Sequence, residues 1–203
     1  METTLLVPAR TALINIDLQR GFVEGAADGL SVVERVNALA AVCRRAGVMV
    51  IHTRHVLRPD GSNLGVLADI PKIREGFLND GSPSAEFHHG LVVEPNDILL
   101  EKPRFGAFYG TDLELILRSR GIDTIMISGI STPVCCDTTA REANARDFRV
   151  LFLRDATACT GDDAERFHNA TIEVLDGLFA RIVSISDVVG VLGENRAESL
   201  GCR

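Results

Sequence analysis

Apolar positions along the chain fall into short dense runs separated by amphipathic stretches. The runs "TALINI" (11–16), "VMVIHT" (48–53), "DILLEK" (97–102), "DTIMISGI" (123–130), "FRVLFL" (148–153) and "ARIVSI" (180–185) read as strands. The run at 123–130 lacks polar alternation, as expected of a strand covered on both faces. Between the runs, "SVVERVNALAAVCRRAG" (31–47) places apolar residues at helical spacing and ends in a basic turn followed by glycine. "GTDLELILRSRG" (110–121) predicts a helix capped by Thr111 or Asp112 and stopped by Gly121; further helices are expected over 133–146, 162–178 and 186–192. The tail from Gly193 to Arg203 is expected to be loose. Strands alternating with helices predict an α/β fold around a parallel sheet, and no internal repeat of about 20–50 residues interrupts the alternation.

The segment 54–96 stands apart. It is rich in Gly, Pro, Asp, Asn and Ser and has no strong period, so a lid or an oligomer contact is expected there. With 203 residues and 46% hydrophobic content, residues 1–203 are read as one domain with a single well-filled core. No apolar stretch reaches about 18 residues, so no transmembrane helix is expected. The N-terminus has no basic region and no small-residue cleavage site before its apolar run, and reads as mature sequence. The net charge of −7, with both signs interspersed, argues against a nucleic-acid surface, which needs a clustered basic patch. The five cysteines are odd in number, irregular in spacing and form no C-x-x-C, which disfavours zinc ribbons and thioredoxin-type motifs. Reduced thiols in a cytoplasm are the expectation.

Ligands in open α/β sheets bind outside the carboxyl ends of the strands. Three reactive residues fall at such ends: Asp17 in "INIDLQRGF", Lys102 in "LLEKPRFGAF", and a cysteine pair in "GISTPVCCDTT". Thr132 and Pro133 look like a helix start, Thr as N-cap and Pro at the first helical position. Cys135 and Cys136 then lie in the first turn, where free N–H groups and the helix dipole favour a thiolate and predict a pKa well below about 8.5. Facing separates the two. Cys136 shares its face with Ala140 and Ala143, small residues suited to packing on a sheet. Cys135 shares its face with Thr138, Thr139, Glu142 and Arg146. Cys135 is therefore expected in the cleft and Cys136 in the core. Phe22 and Phe105 are candidate apolar walls for a small substrate, and Arg54, Arg58 or Arg104 could clamp a substrate carboxylate.

The motifs "INIDLQRGFV", "EKPRFGAF" and "SGISTPVCCDTTAREANARDF" followed by "LRDA" resemble those of the isochorismatase-like cysteine hydrolases, over about residues 9–192. The resemblance implies a three-layer α/β/α architecture with a mostly parallel central sheet. It implies a catalytic Asp17–Lys102–Cys135 triad, and a cis peptide joining Ile130 to Ser131 that turns the Ser131 amide toward the cleft. An oxyanion hole made by the Ser131 and Cys135 amides follows. The pattern is most similar to the biuret and ureidoacrylate hydrolase branch and to N-carbamoylsarcosine amidase. However, Leu175 or Asp176 stands where biuret hydrolases carry a substrate-binding glutamine, which counts against biuret itself. Nicotinamidases of this family hold a metal with an aspartate and two histidines after the second strand. Here "IHTRHVLRPDG" puts His55 at the aspartate position and Leu57 at that of the first histidine. His52 reads as a hydrogen-bonded core histidine, and His88 and His89 as exposed loop residues. No catalytic metal and no redox or organic cofactor is expected. The implied reaction is cleavage of a C–N bond in a small ureido, carbamoyl or amide compound through a thioester, by a homo-oligomer (dimer or tetramer) with no membrane partner. Two alternatives remain: vinyl-ether hydrolysis as in true isochorismatases, which lack the cysteine, and a catalytically silent binding subunit.

Overall fold

The computed structural model describes residues 6–201, with side chains through residue 193. Six strands form one sheet: β1 (Thr11–Ile16), β2 (Met49–His55), β3 (Ile98–Lys102), β4 (Thr124–Ile130), β5 (Arg149–Ala158) and β6 (Arg181–Val183). All pair in parallel, in the order β3-β2-β1-β4-β5-β6. The chain thus winds outward from β1 in one direction, returns to the centre, and winds outward in the other. The reversal between β1 and β4 is the place where ligands bind in open sheets of this kind.

Side-chain alternation along the strands sends neighbours to opposite layers. Leu13, Val50 and Met126 pack with Val32, Val36 and Leu39 of α2 (Gly29–Ala46) and Val188 and Leu192 of α7 (Ile185–Gly201). Ile14, Ile51 and Ile127 pack on the other face, with Leu113 and Leu117 of α4 (Leu113–Ser119), Ala140 and Ala143 of α5 (Asp137–Asn144), and Leu175 of α6 (Ala164–Leu175). Each such aliphatic side chain removed from water contributes about 1.5–3 kcal/mol. The helix α2 ends because Gly47 adopts φ +83°, a left-handed cap that accommodates glycine readily. Two four-residue helices, α1 (Arg20–Val23) and α3 (Pro71–Arg74), were not expected from the apolar pattern.

The crossing of β1 and β4 is unusually close. Gly129 has φ +119°, and a Cβ there would collide with the Ile16 carbonyl. Just before it the pairing of β4 with β5 slips: Ile127 faces Phe152, whereas Gly129 faces Thr157. The slip explains why β5 runs to Ala158 rather than stopping at Leu153. The polar residues Arg154 and Asp155 lie in the irregular stretch, and the ladder resumes after them. The C-terminal helix likewise continues to Gly201 where a loose tail was expected from Gly193; Cys202 and Arg203 lie outside the described residues.

Segment 54–96 folds back over the carboxyl end of β1. Gln19 bridges to Phe87, the Gly21 amide donates to the Ser84 carbonyl, and the His88 amide donates to Leu18. Beneath it Leu57, Leu67, Ile73 and Leu78 form a small apolar cluster of their own, against which Phe22 and Phe105 pack.

Candidate active site

Asp17 is the first residue beyond β1 and takes φ +48°, a conformation uncommon for a residue with a side chain and frequent at functional positions. It is fully buried. Its amide donates to Thr53 Oγ1 at 3.1 Å, and the same hydroxyl donates back to Asp17 Oδ1 at 2.7 Å. The other oxygen, Oδ2, meets the ammonium of Lys102 at 2.7 Å. Lys102 is the last residue of β3, two strands away, and reaches across β2. Its ammonium also donates to the Arg104 and Phe105 carbonyls at 3.0 and 2.8 Å. The ammonium is thus surrounded by one carboxylate and two backbone carbonyls. Burial opposes the charge on Lys102, but Asp17 and then Cys135 outweigh it and hold its pKa above the usual value.

The thiol is brought to the same place by the segment after β4. The Ile130–Ser131 peptide is cis. A wide turn over Thr132–Cys136 follows, with the Val134 and Cys136 amides both donating to the Ser131 carbonyl, and α5 proper begins only at Asp137. The cap of the turn is Ser131, with Pro133 in its first positions. Thr132, expected as the cap, instead bonds His168 Nδ1 on α6 at 2.9 Å. Cys135, Asp17 and His55 offer sulfur, oxygen and nitrogen atoms that all lie within 4.8 Å of one another. The three sequence-distant residues Asp17, Lys102 and Cys135 thus converge at the reversal between β1 and β4.

Two expectations about the cysteines need correction. Cys135 does not open to solvent; it is 3% exposed, and Cys136 is fully buried. The stripe shared with Cys135 turns toward the segment after Lys102. Thr139 donates to the Cys135 carbonyl and accepts the Ala107 amide, and Glu142 accepts the Phe108 amide. Cys136 packs with Ala140 and Ala143 against the sheet, as the facing argument required. The second correction concerns charge. Burial pushes the Cys135 thiol up to about 12, although Lys102 and the Ser131 amide pull it down. Desolvation, with the Asp17 carboxylate added to it, works against the thiolate that a first-turn position favours.

Among the remaining expected residues, Phe105 reaches the site: its ring stands edge-on to His55, with centroids 5.5 Å apart. Phe22 packs instead against Phe77 at 5.4 Å. Arg104 does not face the triad. Its guanidinium donates to the Asn63 and Pro103 carbonyls at 3.0 and 2.6 Å, tying down the loop above. Arg54 pairs with Glu86 and Glu101. Of the histidines, His52 is the expected core residue, bonded to Asn15 and Asp97. His88 is buried, not exposed, because its amide and ring are both engaged in the turn that pins the segment to Leu18.

Three residues at the site carried no assigned role in the sequence. Thr53 holds Asp17. Gln19 fixes His55 by pairing with its amide and carbonyl, and also reaches the Ala85 carbonyl. His55 itself is fully buried, and neither ring nitrogen makes a hydrogen bond. Burial and then the Lys102 charge lower its pKa to about 4, against the pull of Asp17 and the Pro103 carbonyl. The available signal was period two: Thr53 and His55 point to the same face of β2, beside the carboxyl end of β1.

The nicotinamidase type of metal site does not fit. Leu57 lies in the apolar cluster and offers no donor. Asp17, His55 and Cys135 could ligate an ion by distance, but the Lys102 ammonium already occupies the carboxylate that a cation would need.

A carboxylate, an ammonium and a thiol thus meet at the reversal point of a parallel α/β sheet. The Isochorismatase domain family matches residues 11–187, and the chain belongs to the isochorismatase family. It is 35% identical over 192 residues to the isochorismatase family protein YecD of Escherichia coli O157:H7, covering 90% of this chain and 96% of that one. It is 28% identical over 216 residues to the ureidoacrylate amidohydrolase RutB of Methylobacterium radiotolerans, covering 95% and 83%. Among solved structures, a cysteine hydrolase from Pseudomonas syringae pv. phaseolicola superposes with a TM-score of 0.88 at 29% identity, covering 94% of this chain and 95% of that one.

Proposed function

We propose that the protein is a cysteine amidohydrolase that cleaves a C–N bond of a small ureido, carbamoyl or amide compound through a thioester on Cys135. The observation that carries this reading is the Asp17 carboxylate lying between the Lys102 ammonium, at 2.7 Å, and the Cys135 thiol. The similarity to proteins named ureidoacrylate amidohydrolase and cysteine hydrolase supports the same class.

Because the thiol is protonated at rest, its proton passes to Asp17 as the sulfur attacks the carbonyl carbon. The Lys102 charge offsets the negative charge shared by carboxylate and sulfur. Buried between the Asp17 carboxylate and the Arg104 and Phe105 carbonyls, Lys102 acts by charge and not by binding substrate. The tetrahedral oxyanion is taken by the Ser131 and Cys135 amides, each such donor being worth about 10²–10³ in rate. Asp17 returns the proton to the departing nitrogen, ammonia or an amine leaves, and a thioester remains. Water deprotonated by Asp17 attacks the thioester, and the thiol is restored. Segment 54–96 acts as the lid over this site, held shut by the Arg104–Asn63 and Gln19–Ala85 contacts. A homo-oligomer is part of the reading, supported by the exposed Phe167 and Val174, seven residues apart on one face of α6.

Ammonia release from a panel of ureido compounds and primary amides tests the proposal. The wild-type protein is expected to turn over members of the panel, and Cys135→Ala to lose at least about 10³-fold. A folded wild-type protein that releases no ammonia from any of them contradicts it.

A further inference from the structure

Around the Cys135 sulfur, nearly every polar side chain already has its partners. Asp17 is held by Thr53 and Lys102. Lys102 is held by Asp17 and two carbonyls. Gln19 is held by the backbone of His55 and Ala85, and Thr139 by Cys135 and Ala107. His55 differs: it is buried, neither ring nitrogen has a well-aligned hydrogen-bond partner, and the nearby Pro103 carbonyl is the one backbone acceptor that favours its protonated ring. A buried polar atom without a partner is destabilising. Phe105 meets the ring edge-to-face, a contact that an apolar side chain could also make. The side chain lies within reach of both the carboxylate and the sulfur, so a molecule bound for attack by Cys135 must pass against it.

We propose that His55 is a substrate-recognition residue that accepts a hydrogen bond from the retained N–H of a ureido substrate, and so selects ureido compounds over simple amides. The inference rests on the amidohydrolase reading and deepens it. A ureido substrate carries a terminal amino group, then the carbonyl, then an N–H that joins it to the rest of the molecule, R. The reacting carbonyl oxygen goes to the Ser131 and Cys135 amides and the departing amino nitrogen to Asp17. The nitrogen that stays with R has no partner among these groups. An uncharged imidazole offers one acceptor nitrogen for it and one N–H for an acceptor further along R. An amide with a methylene in place of that N–H leaves the acceptor nitrogen bare. Selectivity arises because the buried group is then unpaired, not because the amide fails to fit.

Two matched pairs test this: methylurea against propanamide, and N-carbamoyl-β-alanine against glutaramate, each pair differing only in N–H against methylene. Wild-type kcat/KM is expected to favour the ureido member by about tenfold or more, corresponding to a single hydrogen bond. His55→Leu should reduce the ureido member at least tenfold more than its methylene analogue, collapsing the preference, while His55→Gln retains part of it. The melting temperature of His55→Leu should match or exceed that of wild type, since an unpaired buried polar group has been removed. A structural histidine would instead lower the melting temperature and both activities together, and that result overturns the inference, as does a preference that survives His55→Leu. If the wild type releases no ammonia from any of the four, the amidohydrolase reading fails on its own. Calorimetric binding of the pairs to Cys135→Ala then decides His55. Tighter ureido binding that is lost in Cys135→Ala/His55→Leu supports the proposal; equal affinities or no binding overturn it.

Discussion

Thr53 makes two hydrogen bonds to a single residue, Asp17, one through the backbone and one through the carboxylate. Its methyl group packs like a valine's, so Thr53→Val keeps the shape and removes both bonds. The variant should lose about 1–3 kcal/mol of stability, read as a lower urea midpoint, because a buried amide and a carboxylate oxygen are left bare. It should also lose about tenfold or more in kcat/KM, since the base is no longer aimed. Unchanged activity would mean that Lys102 alone positions Asp17. At this scale the placement of Asp17, Lys102 and Cys135 near one sheet edge was legible because each lies at or shortly after the end of an apolar run. Thr53 and His55 were not, because a threonine and a histidine inside a strand look the same whether they serve the core or a site. The state of Cys135 was not legible either. Its place in a first turn argued for a thiolate, and only the burial around it, which depends on chain folded over from 54–96 and from the strap after Lys102, reverses that expectation.

Among the elements, the crossing of β1 and β4 is the most constrained. Gly129 combines a positive φ with a collision between any added Cβ and the Ile16 backbone. Gly129→Ala should cost about 3 kcal/mol or more. Any folded fraction should be inactive, because the strand that carries the Ile130–Cys135 segment is pushed off the strand that carries Asp17. A thermally stable, active Gly129→Ala protein would contradict the register described. Strand identities were readable because period and apolar density are local properties. The extension of β5 through "RDATA" was hidden, because it depends on a slip against Gly129 of a neighbouring strand. The wide turn before α5 was hidden for a similar reason: the residues between Thr132 and Cys136 carry ordinary helix-start signals, and the turn's i→i+5 bond to Ser131 is set by tertiary contact.

Across the whole molecule, the buried histidines and the buried carboxylate of Asp97 contribute most to the response to acid among the described residues. His55 has its pKa lowered to about 4, and burial also lowers His52, His88 and His168. Below about pH 6.5 the unfolded chain protonates these rings while the folded protein does not, so the unfolded state binds more protons and stability falls as pH drops toward 4. Asp97 acts in the same direction at the lower end. Burial raises its pKa, but the Arg44 bond, the Glu94 amide and His52 together bring it below the usual value, and its contribution is lost as the carboxylate protonates. The melting temperature should therefore decline steadily from about pH 6.5 to 4, and His55→Leu should flatten the decline. A melting temperature that rises on acidification would show that these rings are charged in the fold. Layering and strand direction at this scale were legible from the alternation of elements. How segment 54–96 seats itself was not, because its anchors join backbone groups of Leu18, Gln19 and Gly21 to long-range side-chain contacts such as Gln19–Ala85 and Arg104–Asn63, which no local pattern reports.

The identity of the nucleophile bears most directly on the whole account, and covalent labelling reads it without knowledge of the natural substrate. The protein should be treated with a chloroacetyl-urea electrophile in stoichiometric amount, then assayed for ammonia release and mapped by peptide mass. The expected result is one adduct on Cys135, loss of activity in proportion to labelling, and the same behaviour in Cys136→Ala. An adduct confined to Cys136, or full activity after complete modification of Cys135, would contradict the account.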